Sequence, residues 1–198
     1  MARVATRVSS PLFIGRQVEL ATLTEALRHA ADGDAGTVLI GGDAGIGKSR
    51  LVAEVEARAA DAGMLVLEGG CVALGDGGGL PFAPIVEALR RLPAMLADDA
   101  TDGLGHLDDL ATPAIAELGR LVPELGSQAT ADVSTFDRPE WIQARIFEGL
   151  LALLRTLGGR RPVLLVLEDL HWADGSTRDV TCRPPSPGRR WRAARGSP

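Results

Sequence analysis

The sequence predicts an α/β fold in which a parallel sheet lies between helical layers, a three-layer sandwich. Three observations predict it. An apolar run, Thr37-Val38-Leu39-Ile40, leads at once into Gly42-Asp43-Ala44-Gly45-Ile46-Gly47-Lys48-Ser49, a complete G-x-x-x-x-G-K-[ST] loop. A second apolar run, Val163-Leu164-Leu165-Val166-Leu167, ends in two acids, Glu168 and Asp169. Around both runs, apolar residues recur at helical spacing. At 198 residues the chain is long enough for one such domain with a real core.

The elements follow in order. Residues 1–12 read as a leader. After Phe13-Ile14-Gly15-Arg16, the spacing of Val18, Leu20, Leu23, Ala26 and Leu27 predicts a helix to about Ala31. Asp32-Gly33-Asp34-Ala35-Gly36 is a turn cluster. Thr37–Ile40, β-branched at three of four positions, reads as a buried parallel strand. The glycine loop follows, and then a helix from about Ser49 to Asp61. Met64–Glu68 is a second strand. A glycine-rich loop, 69–79, leads through Pro81 and Pro84 to a helix over 85–96. Residues 98–138 are weakly patterned, with short helical pieces near 115–121. A longer helix over 139–157 carries the stripe Trp141, Ile142, Ile146, Leu150 and Leu153, and Gly158-Gly159 stops it. Val163–Leu167 reads as a central parallel strand. No internal repeat is present.

Composition removes several function classes. Aromatics make up 4% and tyrosine is absent, so a stacking platform for single-stranded nucleic acid is not expected. No apolar run reaches the length of a membrane span, and nothing in the first residues resembles a secretory signal. Cys71 and Cys182 give neither metal spacing nor a disulfide framework, and a reducing cytoplasm is the expected compartment. Residues 175–198 hold six arginines and one aspartate, a net +5; the formal total is −5, so residues 1–174 carry −10. Such an acidic body disfavours broad contact with a phosphate backbone. The basic segment 181–198 has no hydrophobic period and reads as a disordered tail.

Lys48 is the only lysine; the other 20 basic residues are arginine. A chain that uses arginine for every other positive charge has a compact ammonium where the β- and γ-phosphates of a nucleotide would lie. Gly42, Gly45 and Gly47 permit left-handed turns, so that the N–H groups of Gly42, Asp43, Ala44, Gly45, Ile46, Gly47, Lys48, Ser49 and Arg50 can converge on phosphate oxygens. The helix starting near Lys48 aims its positive end at the same place. The Ser49 hydroxyl is the expected Mg²⁺ ligand, and an acid ending a neighbouring strand completes the metal's shell. Glu168 and Asp169 supply it: one contacts the metal and the other polarises the attacking water. The usual run-then-two-acids alignment gives Glu168 the metal position, but the sequence leaves the assignment open. Lys48, Glu168 and Asp169 are therefore the expected catalytic groups, with ATP and Mg²⁺ as cofactors.

Four segments carry a resemblance. Phe13-Ile14-Gly15-Arg16-Gln17-Val18-Glu19-Leu20, Gly41–Leu51, Leu80–Leu89 and Leu165-Val166-Leu167-Glu168-Asp169-Leu170-His171-Trp172-Ala173-Asp174 resemble, in order, the motifs of STAND/AAA-type ATPase domains, of the origin-recognition-like AAA class. The resemblance extends to large LuxR-type transcriptional regulators. It implies a P-loop NTPase fold over 13–180, ATP rather than GTP, and Arg16 near the adenine or the phosphates; read alone, Arg16 is a solvated helix-start residue. It places His171 and Trp172 at a strand-to-loop junction, in packing or in relaying the γ-phosphate state. Asp174 reads as a helix N-cap. Cys71 reads as a small buried apolar group; His29 and His106 carry no legible role.

The resemblance ends near Val180, and Thr181 onward reads like a shifted frame or a cut gene. The expected domain is therefore incomplete at the C-terminus. In the resembled family a further strand joins the phosphate-loop strand to the acidic strand; without it, weak stability and weak or no turnover are expected. The family's DNA and inducer partners imply a regulator, but no DNA-binding segment is legible in this chain. Self-association on ATP binding and absence of a membrane partner complete the expectation. Three functions fit the residues: an ATP-driven regulatory switch, a small-molecule kinase, or a non-catalytic nucleotide-dependent interaction module. The ATPase domain of another signalling protein, a cyclase or a kinase, is a further context.

Overall fold

The computed structural model describes residues 15–71, 82–98, 117–125, 139–173, 175, 177 and 191–195. The expected leader, the glycine-rich stretch 72–79, His106, Asp174, Cys182 and most of the basic tail lie outside the described residues. The described chain is α/β, with helices packed on parallel strand pairs.

Helix α1 spans Gln17–Ala31 and buries Leu20 and Leu23. Val18, expected on the same stripe, is 78% exposed. Two residues correspond to about 200° of helical rotation, so Val18 and Leu20 face nearly opposite directions. Strand β1 covers Thr37–Gly41 and helix α2 covers Lys48–Asp61, with Leu51, Val55 and Ala59 buried along one face. Leu20, Leu23, Leu51 and Val55 form one core cluster, with Val38, Ile40 and Leu164 packed against it. Its Leu51 side chain is completely buried, which stabilises the fold by about 1.5–3 kcal/mol.

Strand β2 covers Leu65–Gly70. The helix expected over 85–96 is two helices, α3 at Ala83–Arg90 and α4 at Leu92–Asp98. Pro93 explains the break, because it lacks an N–H and restricts the residue before it. Short 3₁₀ turns at Glu117–Arg120 and Pro123–Leu125 precede α5 at Pro139–Gly158. Strand β3 covers Val163–Glu168 and pairs in parallel with β2, from Leu65 opposite Val163 to Gly70 opposite Glu168. The larger core lies on one face of this pair. There Leu65 and Leu67 join Ile85, Leu89, Leu92, Leu118, Ile146, Leu150, Leu153 and Leu157, with Val163, Leu165 and Leu167 packed alongside. Leu164, of opposite parity, faces the α1–α2 cluster. The β2–β3 pair therefore has helices on both faces.

The described strands form two two-stranded sheets, β2–β3 and β1 with β4, Trp191–Arg195, so among them the loop strand and the acidic strand lack a bridge, as the incomplete sheet led one to expect. Two expectations change. Neither β1 nor β3 is a buried central strand. Leu39 is 49% exposed, and every residue of β3 is half-buried, in keeping with one hydrogen-bonded neighbour each. Strand β4 lies inside the segment expected to lack structure, and it pairs in parallel with β1, Thr37 opposite Trp191 through Gly41 opposite Arg195.

At one point helix and strand approach so closely that only glycine fits. A Cβ on Gly69 would lie 2.7 Å from the Pro84 carbonyl carbon and 3.1 Å from the Ala88 nitrogen. The buried end of β2 is thereby pressed against the first turn of α3. Gly70 N–H also donates to Glu87 Oε2 at 2.8 Å.

Candidate functional site

The loop after β1 turns through three left-handed glycines, Gly42 at φ 152°, Gly45 at φ 79° and Gly47 at φ 91°. Gly47 caps α2, so the helix starts at Lys48 with its unpaired amides at the loop. Lys48 Nζ donates to the carbonyls of Gly42 at 2.8 Å and Asp43 at 2.9 Å. The ammonium is thus held across the loop mouth by backbone acceptors. A Cβ on Gly42 would meet Ile46 Cγ2 at 3.3 Å, so the turn closes tightly around that position. Ile46 N–H reaches toward the Asp43 carbonyl at 3.5 Å, and Leu51 N–H bonds the Gly47 carbonyl at 3.1 Å.

Arg16 belongs to the same construction. Gly15 at φ 86° and Arg16 at φ 55° are both left-handed, a conformation that costs an arginine roughly 1–2 kcal/mol. That turn brings the Arg16 guanidinium to the Ile46 carbonyl, which accepts from Nη2 at 2.6 Å across 30 positions of sequence. Arg16 is therefore partly buried against the loop rather than solvated at a helix start.

Glu168 ends β3, and Cys71 N–H donates to its carbonyl at 3.1 Å, so the ends of β2 and β3 are tied together. Cys71 is buried, as expected of a small apolar group. Asp169 is left-handed at φ 56° and caps a 3₁₀ turn, Leu170–Trp172. Its Oδ1 lies 3.9 Å from His171 Nδ1, with both side chains 65% exposed; such a surface pair contributes little. The His171 and Trp172 rings sit 4.9 Å apart and tilted, and Trp172 is 44% exposed, so this pair lies at the surface rather than in a core.

The structure brings Arg16 to the loop and Lys48 across it. It does not place the loop strand beside the acidic strand, since β1 and β3 belong to different sheets. Helix α2 is what they share, because Val38, Ile40 and Leu164 all pack against its cluster. The donor set fits Mg²⁺ with a nucleotide. Ser49 stands in the first turn of α2, Glu168 ends β3 and Asp169 follows it. Magnesium keeps waters and phosphate oxygens alongside one or two carboxylates, so a hydroxyl and one or two acids are donors of the type it takes. Among the described residues no group of three or more His, Cys, Asp or Glu is arranged to hold a metal by itself.

One charged group near the acids was not singled out in the sequence. Glu56, on α2, has its carboxyl pushed above the ordinary range, first by burial and then by the negative charges of Glu68 and Glu168. Its Oε1 is buried without a hydrogen-bond partner. Glu56 follows Val55 on α2, one position off the buried stripe Leu51, Val55 and Ala59, and carried no sequence signal of its own.

Comparison with known proteins agrees with this geometry. Residues 12–183 match the family described as AAA ATPase domain. An uncharacterized protein of Rhizobium meliloti (strain 1021) is 30% identical over 88% of this chain and 17% of its own length. The chain therefore spans about a sixth of that relative. No solved structure matches. No described helix is long and apolar enough to cross a membrane. The loop that Lys48 crosses and the match over most of the chain lead to one conclusion: this chain belongs to the AAA ATPase domain family, whose chemistry is nucleotide binding.

Proposed function

We propose that the chain is the Mg·ATP-binding module of a signal-responsive bacterial transcriptional regulator of the large LuxR type. The observation that carries the nucleotide-binding part of the reading is the loop 42–49, with Lys48 laid across its carbonyls at the head of α2; the regulator context rests on the resemblance of the four sequence segments. In this reading Gly42, Asp43, Ala44, Gly45, Ile46, Gly47, Lys48, Ser49 and Arg50 surround the phosphates. Backbone amides and the α2 terminus supply fixed partial charge, and Lys48 supplies a full one. Ser49 and one of the two acids, Glu168 or Asp169, would hold magnesium, which when bound neutralises developing negative charge on the phosphates. Of the two acids, the one left off the metal orients water. DNA and an inducer would be partners of a longer protein, in keeping with the 17% of its relative's length that this chain covers, while self-association on ATP binding would be a property of this module.

A second reading is favoured by one observation. The loop strand and the acidic strand are not neighbours in one sheet. A domain in which the acids are not locked beside the loop binds nucleotide without efficient turnover, and acts as a nucleotide-dependent interaction module. ATP binding, hydrolysis and phosphate transfer, compared for the native chain and Lys48→Ala, separate the readings. Lys48-dependent binding with turnover supports the switch. Binding without turnover supports the interaction module. Transfer to a small acceptor would make the protein a kinase and overturn both.

A further inference from the structure

The contact between Arg16 and the loop has a consequence set by covalent geometry. Arg16 Nη2 donates to the Ile46 carbonyl at 2.6 Å. That carbonyl belongs to the peptide joining Ile46 to Gly47. In a planar trans peptide the C=O and the N–H point in opposite directions. A hydrogen bond that fixes the Ile46 carbonyl toward Arg16 therefore fixes the Gly47 N–H away from it. Gly47 is left-handed at φ 91°, and glycine alone tolerates either orientation of such a peptide. Left unrestrained, this peptide would be the loop's free hinge.

We infer that Arg16 is a positioning residue for the phosphate loop: it pins the Ile46–Gly47 peptide so that the Gly47 N–H faces the anion before any ligand arrives. This rests on the nucleotide-binding reading above and assigns Arg16 a role on the protein rather than on the nucleotide. Two features support it. Two consecutive left-handed residues, Gly15 and Arg16, turn the chain toward it. The same Arg16 begins α1, whose Leu20 N–H bonds the Arg16 carbonyl at 2.9 Å, and α1 is anchored to α2 through Leu20, Leu23, Leu51 and Val55. The pin is therefore mounted on the core. A loop already ordered in its binding conformation avoids the ordering cost at the moment of association.

The test uses the full 198-residue chain, with magnesium pyrophosphate as a ligand that has phosphates but no nucleoside. Calorimetry compares native protein, Arg16→Ala, Arg16→Gln and Arg16→Lys with Mg·ATP and with magnesium pyrophosphate. Amide exchange at Gly47 is measured in parallel on ligand-free protein. Arg16→Ala should weaken both ligands by the same factor, about tenfold or ~1.4 kcal/mol, and speed Gly47 exchange. Arg16→Lys, which keeps a charged donor, should recover part of both effects. Loss of ATP affinity with pyrophosphate binding intact would place Arg16 on the nucleoside and overturn the inference. Unchanged Gly47 exchange in Arg16→Ala would also overturn it. If Arg16→Ala does not fold, Arg16→Gln against Arg16→Lys decides by the same two readouts. If native protein binds neither ligand, the nucleotide reading fails, while the exchange comparison still decides whether Arg16 holds the peptide.

Discussion

Replacing Gly69 by alanine probes the junction between β2 and α3. The added Cβ would lie 2.7 Å from the Pro84 carbonyl carbon and 3.1 Å from the Ala88 nitrogen, both backbone atoms that no side-chain rotation can remove. Carbon atoms at rest sit about 3.5–4.0 Å apart, so α3 must retreat by roughly 1 Å. Helix α3 resists, because Ile85, Ala88 and Leu89 are buried in the larger core. Overpacking of this kind costs about 1–3 kcal/mol, which for a chain of this size lowers Tm by about 2–12 °C. Gly70→Ala is the control: its Cβ would find only Glu87 Oε2, at 3.7 Å. Thermal and urea denaturation of both variants measures the difference. If Gly69→Ala melts with the native protein, or no lower than Gly70→Ala, the close approach of α3 to β2 is wrong.

Other outcomes follow from the same geometry. Leu51→Ala removes a completely buried side chain from the cluster linking α1, α2 and β1, and should cost about 2–5 kcal/mol in urea unfolding. Glu56→Gln should raise the midpoint of unfolding at neutral pH. The folded-state value of Glu56 lies above its ordinary 4.5, so ionisation begins to oppose folding as pH rises past that ordinary value, and the full cost is reached above the folded-state value. The gain should vanish below about pH 4, and a gain independent of pH would contradict the cause assigned. Ser49→Ala should leave magnesium-free ATP binding close to native while reducing the enhancement by magnesium, read by calorimetry with and without the metal.

Much of this architecture is local in origin, and that part was legible. The loop, α2 and the strands before the loop and the acids follow from residue type and period within short windows. Pro93 even marked the α3–α4 break, although a continuous helix was expected. Pairing was not legible, because parallel neighbours are chosen by contacts distant in sequence. Thr37–Ile40 and Val163–Leu167 look alike as apolar runs, yet they enter different sheets. Strand β4 carries no alternation of apolar and polar residues, so Trp191–Arg195 gave no strand signal. The place of Lys48 and Ser49 at the head of α2 was readable from spacing alone. The hold of Arg16 on Ile46 depends on two left-handed residues and a tertiary approach that spacing does not encode. Glu56 was hidden because an acid in a helix ordinarily faces water.

The central claim is that the ammonium of Lys48 and the loop it crosses form a polyphosphate site. Titration of Mg·ATP into the native chain and into Lys48→Ala, followed by calorimetry, tests this most directly. A saturable heat in the native protein that is lost in the variant is the predicted result. Equal heats in the two proteins, or none in a native chain shown to be folded, would contradict it.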